Sequence, residues 1–151
     1  MRLWKKIGIV GVVTLAAMQL TAGTHTNPPV VADLNTGTAT KDALRRACYD
    51  CHSNETTWPW YSRVAPVSWL IQRDVSQGRA ALNFSAWESL PADRRATLKR
   101  ECREEIVEGE MPPWAYTPLH PNAALSGPDT ESILSWTTGD DGPTQSASER
   151  H

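Results

Sequence analysis

The chain has 151 residues, with 15 basic and 17 acidic side chains and a net charge of −2. Setting aside Arg2, Lys5 and Lys6 at the N-terminus leaves 12 basic residues against 17 acidic, a balance of −5 that disfavours nucleic-acid binding. Length and a 40% hydrophobic content suit one domain with one core, and no serine triad, paired-carboxylate motif, phosphate loop or internal repeat suggests a catalytic or repetitive architecture.

Residues 1–23 read as a signal peptide or an N-terminal membrane anchor. Three basic residues precede an apolar run from Ile7 to Leu20. The run is short for the ~20 residues of a bilayer span, and Thr21-Ala22-Gly23 is an imperfect cleavage pattern, so both readings stand. Residues 24–39, rich in Thr, Pro, Asn and Gly, are expected to form an extended linker that acts as a tether. The domain proper is expected over 40–138, and a disordered tail over 139–151.

Thr40 is expected to cap a helix that carries Leu44, Ala47, Cys48 and Cys51 on one stripe. Within it stands Cys48-Tyr49-Asp50-Cys51-His52, a C-x-x-C-H sequence of the kind that attaches c-type haem. The chemistry needs both types and spacing. Each thiol forms a thioether with one haem vinyl group, and the adjacent imidazole ligates the iron from one face. Spacings of three and four place Cys48, Cys51 and His52 on one side of a helical turn. The competing readings are a thioredoxin-like dithiol, a Cys48–Cys51 disulfide, or a zinc site drawing on distant Cys102 or His120. The surrounding pattern supports these less well, because no strand-helix-strand signal and no second C-x-x-C is present.

Further along, Pro66 suits a helix start, with Val67, Leu70, Ile71 and Val75 as a core-facing stripe and Gly78 as its end. Ser85-Ala86-Trp87-Glu88 reads as a capping box, and Ser89-Leu90-Pro91 as a second start for a charged helix that Gly109 terminates. In that helix Leu98, Cys102 and Ile106 share a face, which makes Cys102 a buried small hydrophobe rather than a reactive thiol. Ser126-Gly127-Pro128-Asp129 opens a closing helix that buries Ile133, Leu134 and Trp136.

The sixth iron ligand is expected to be Met111, in Gly109-Glu110-Met111-Pro112-Pro113-Trp114, where prolines stiffen the loop after a helix. His120 is the alternative sixth ligand, or else a hydrogen-bonding group at the haem edge. Trp58, Trp60, Tyr61 and Trp69 are expected to wrap a haem edge, with Arg63 and Arg79 as propionate partners and the Pro66 carbonyl, or another in that loop, holding His52 Nδ1.

Taken together, Asn27-Pro28-Pro29, Cys48 to Ser53, Asn54-Glu55-Thr56, Trp58 to Ser62, Val64 to Trp69, Gly78-Arg79, Asn83-Phe84-Ser85, Trp87 and Met111-Pro112-Pro113 with Tyr116 resemble the bacterial haem-binding domain family over roughly 27 to 137. The resemblance implies an all-α, cytochrome c-like helical domain around one covalently attached haem c held through Cys48, Cys51 and His52. Exported chains of this kind are expected in the periplasm, here either released from residues 1–23 or tied by them to the inner membrane. The leading expectation is a non-enzymatic carrier of single electrons through a His52/Met111-ligated haem, with a periplasmic or membrane redox partner. A redox or small-ligand sensor and, further off, a peroxidase-like enzyme are the alternatives.

Overall fold

The computed structural model describes residues 2–23 and 25–139. The predicted disordered tail therefore lies outside the described residues apart from Gly139. Among those residues the chain is all-helical, as expected, with six α-helices, three short 3-10 turns and no strand. Helix α1 spans Arg2–Gln19, α2 Thr38–Ala47, α3 Tyr49–His52, α4 Val67–Ala81, α5 Ala92–Glu108 and α6 Gly127–Thr138. No described helix is long and apolar enough to cross a membrane.

Packing follows from which faces are apolar. α2 lies on α6, α6 on α5, and α3 on α4. Their shared core is aromatic: Phe84 stacks on Tyr49 with ring centroids 5.2 Å apart, and Trp87 meets Trp136 at 5.3 Å. Leu44, Leu98 and Ile133 fill the space between, while Cys48, Cys102 and Ile106 border it. Cys102 thus occupies the apolar position expected of it. None of the three cysteines is in a disulfide.

Local signals set several boundaries. Gly109, at φ 76°, ends α5 in the left-handed region, where a side chain would be strained. Ser126 and Asp129 form a reciprocal capping box at α6, and Pro66 immediately precedes α4. Elsewhere tertiary contacts change the outcome. α2 begins at Thr38 behind Gly37, so Thr40 is inside the helix, where its hydroxyl meets Ser132 Oγ at 2.7 Å instead of capping. Ser85 caps nothing; Asn83 accepts from the Ser85 N–H and starts the 3-10 turn Phe84–Ser89. Gly78 does not end α4, which continues to Ala81. Of the stripe on α4 only Val75 is buried, and Val67 and Leu70 face solvent.

The expected tether is also corrected. Residues 25–36 are extended, yet they form a strap bound along the domain. The Val31 and Ala32 N–H groups donate to the Ser85 carbonyl, Leu34 N–H donates to that of Phe84, and Glu88 N–H donates to that of Ala32. Leu34 is buried in the aromatic core. An isolated extended segment has unpaired backbone groups, so these bonds explain why the strap holds its course.

Candidate functional site

The C-x-x-C-H motif forms the junction between α2 and α3. Cys48 ends α2 and accepts both the Cys51 and the His52 N–H, at 3.1 and 2.9 Å, closing the turn that brings Cys48, Cys51 and His52 together. The two intervening residues hold that turn from different sides. Tyr49 is buried against Phe84, and its hydroxyl donates to Asp33 Oδ1 at 2.9 Å. Lys41 Nζ joins the group, 2.7 Å from Asp33 Oδ2 and 2.7 Å from the Tyr49 hydroxyl. Burial would raise the Asp33 carboxyl, but hydrogen bonds from Lys41 and Tyr49 outweigh it and hold Asp33 below the ordinary range. Asp50 points the other way. Its Oδ1 accepts the Thr57 N–H at 2.8 Å and its Oδ2 accepts the Tyr116 hydroxyl at 2.6 Å.

His52 is oriented by backbone. Its Nδ1 lies 2.9 Å from the Gly78 carbonyl and 3.2 Å from that of Leu82, near the end of α4. Both partners are acceptors, so Nδ1 carries the proton and Nε2 keeps its lone pair. Burial depresses the His52 pKa against the pull of these carbonyls, which favours the neutral ring. The holding carbonyl is thus not that of Pro66. Gly78 has a second part in the geometry, because a Cβ there would sit 2.6 Å from the Cys51 carbonyl oxygen and 3.2 Å from Cys51 Cβ. Only a residue without a side chain lets α4 approach the motif this closely.

Burial pushes the Cys51 thiol up to about 11, with Asp50 and Asp74 adding to the effect, and the Cys102 thiol to about 11, with Glu105 adding. Cys48 is pushed higher, first by burial and then by the neighbouring Cys102 and Cys51. All three are neutral thiols near pH 7. Among the described residues no group of three or more His, Cys, Asp and Glu side chains is arranged to hold a metal ion, so the zinc reading finds no ligand set.

Arg79 fastens the surrounding loops. Its Nε donates to the Ser53 carbonyl at 2.7 Å, Nη1 to that of Thr26 at 2.9 Å, and Nη2 to Asn27 Oδ1 and Thr56 Oγ1 at 2.9 and 2.8 Å. The guanidinium proposed for a propionate is occupied by protein. Asn54 extends the same web, donating to the Pro29 carbonyl while its backbone N–H donates to Ser85 Oγ. These contacts account for several of the polar residues that carried the family resemblance.

The loop after α5 reaches the motif through the Tyr116–Asp50 bond. Met111, half-buried, begins this loop with its N–H on the Glu105 carbonyl at 3.2 Å. His120 has its Nε2 2.6 Å from the Tyr61 hydroxyl, and its ring stacks on Tyr116 at 4.1 Å. It borders an open cavity of about 360 Å³ shared with Arg45, Arg46, Asp50, Tyr116 and Asn122, which neither thiol of the motif nor His52 lines. The aromatic residues expected at a haem edge disperse: Trp60 is 78% exposed, Trp69 lies at the surface, and Trp58 packs against His25 at 4.5 Å. His25 is itself held by the Ser62 carbonyl, 2.8 Å from its Nε2.

Sequence reasoning missed Asp33, the part Gly78 plays against Cys51, and the distinct duties of Tyr49 and Asp50. The two residues inside the motif offered the only local hint, one being aromatic and one acidic.

In comparison with known proteins, a family model described as a haem-binding domain matches residues 8–139. Searches of curated proteins and of solved structures returned no match.

Proposed function

The chain belongs to the haem-binding domain family, and from that premise we propose that it is a c-type carrier of single electrons, working in the periplasm without an enzymatic role of its own. The observation that carries the reading is the motif's arrangement: two unpaired thiols on one helical turn beside an imidazole whose Nδ1 is fixed by the Gly78 and Leu82 carbonyls. The donor set fits covalent haem. When bound, the haem supplies a one-electron ferrous/ferric couple.

The chain's own residues do the rest. Cys48 and Cys51, both unpaired thiols, would hold the haem through thioether bonds to its vinyl groups. His52 would hold the iron through Nε2, and the paired carbonyls behind it set the ring plane and raise its basicity. Met111 would supply the second protein ligand to the iron, a soft thioether that favours the reduced state relative to a second imidazole. The bond from Tyr116 to Asp50 ties the far end of the Met111 loop to the attachment turn. His120 is the weaker choice for this position, since its Nε2 is engaged by Tyr61. Residues 1–23 direct export, and α1 stays with the domain as a membrane-associating segment, a reading supported by its bonds to the body through Gln19.

The test is an optical spectrum of the exported protein before and after reduction, with acid extraction and a carbon monoxide challenge. Expected are acid-stable haem, a weak far-red band of Met-ligated ferric iron, and no carbon monoxide shift. In Met111→Ala the far-red band disappears and carbon monoxide binds. A spectrum unchanged by that substitution removes Met111 as ligand, and haem extracted fully by acid removes covalent attachment.

A further inference from the structure

α1 has no buried residue. Its apolar side chains from Leu3 to Leu15 are each more than half exposed, so in water this helix carries a large uncompensated apolar surface. Its C-terminal end is fixed at one place on the domain. Gln19 Nε2 donates to the Arg63 carbonyl at 2.5 Å, Gln19 Oε1 accepts the Ala65 N–H at 3.1 Å, and Trp69 Nε1 donates to the Thr21 carbonyl at 3.2 Å.

The segment it touches is itself apolar and uncovered. Between residues 60 and 70, Trp60, Val64, Val67, Trp69 and Leu70 are all exposed, and Arg63 and Arg73 stand exposed beside them. The exposed face of α5 has the opposite character, with Arg94, Arg100, Glu101, Arg103 and Glu104. Five exposed large hydrophobics thus fall within residues 60–70, where α1 joins the body, whereas α5 exposes one, Val107.

We propose that residues 60–70 form a surface that rests on a phospholipid bilayer, placed there by α1. The proposal rests on the reading that α1 stays with the domain as a membrane-associating segment. Being too short and too charged to cross, α1 partitions into the boundary between headgroups and acyl chains, with Lys5 and Lys6 available to anionic lipid. A body bonded to residues 19 and 21 cannot stand away from that boundary. Trp and branched aliphatics edged by Arg are the side chains that suit it, apolar in the main with polar ends that reach headgroups. The family match, starting at residue 8, takes in most of α1 as well as this surface.

Hydrogen–deuterium exchange on the full haem-loaded chain, with and without vesicles of phosphatidylglycerol and phosphatidylcholine, tests the proposal. Vesicles should slow exchange about threefold or more in both α1 and residues 60–70 while leaving α5 unchanged. The double variant Trp60→Ser, Leu70→Ser should keep its haem spectrum and the protection of α1 but lose that of residues 60–66. Protection of α1 with unchanged exchange over 60–70 overturns the resting surface alone. Failure of vesicles to protect α1 overturns the membrane reading with it. Protection of 60–70 that rises with protein concentration in the absence of vesicles assigns the surface to a second copy and also overturns the proposal.

Discussion

The two sides of this domain are held by different chemistry. The side built from α2, α5 and α6 is joined by rings and aliphatic chains, with Trp136, Phe84 and Trp87 packed within 6.3 Å of one another. The side that carries Cys48, Cys51 and His52 is joined by directed polar bonds, in which Arg79, Asn54, Asp33 and Asp50 each bind specific carbonyls, hydroxyls or N–H groups. Apolar contact is tolerant of small displacements, and a hydrogen bond is not. The first side therefore sets how stable the domain is, and the second sets where the motif's atoms stand.

Substitutions can separate these duties. The largest stability effect is expected from Trp136→Ala, which empties a site only 2% exposed and should cost about 3–5 kcal/mol in thermal or denaturant unfolding. The haem content of the molecules that remain folded should be unchanged. If haem content per folded molecule falls in step with stability, the division of labour is wrong. Gly78→Ala inverts the pattern. Its Cβ would meet the Cys51 backbone at 2.6 Å, so α4 and α3 must separate, at about 1–3 kcal/mol, and His52 loses its alignment with the Gly78 carbonyl. Haem incorporation, measured as the pyridine haemochrome, should fall several-fold, and normal incorporation would show that the close approach is dispensable.

The smallest effect concerns the α6 cap, whose Asp129 also pairs with Arg46 at the end of α2. Asp129 is held at about 2 by the hydroxyl and N–H of Ser126 and by Arg46, below the usual value of 3.8. A depressed folded pKa stabilises above the unfolded value and loses that stabilisation as pH falls through the folded one. The contribution should therefore be present above about pH 4 and fade towards about pH 2. Unfolding curves of Asp129→Asn against wild type should converge over that interval, with the haem spectrum of the native protein unaffected by the substitution at pH 7. A constant difference down to pH 2 would show that Asp129 acts by packing alone.

What the sequence made legible follows the same division. Pro66, Gly109 and the Ser126–Asp129 box announced their helix ends because each acts on backbone within one turn. The C-x-x-C-H motif was readable because its two thiols and its imidazole are neighbours in sequence. Gly78 was read as a stop on propensity, whereas its small size serves a contact with Cys51, 27 residues earlier, that no local pattern records. The strap was read as a tether for a similar reason: its composition is that of a linker, and its partners lie near residues 79 to 88. Val67 and Leu70 carried the helical spacing of a core face, but periodicity identifies an apolar face without saying what covers it.

The strap also imposes an order of events on a chain made from its N-terminus. Asn35 waits for the carboxylate of Glu88, and Thr26 for the guanidinium of Arg79, partners in each case 53 residues downstream. Loop closure over such a separation comes late relative to a helical turn. During that delay the C-x-x-C-H turn is already made while the strap that encloses it is not yet closed, which leaves Cys48 and Cys51 accessible. The length of chain between strap and partners thus sets how long the motif stays accessible during folding.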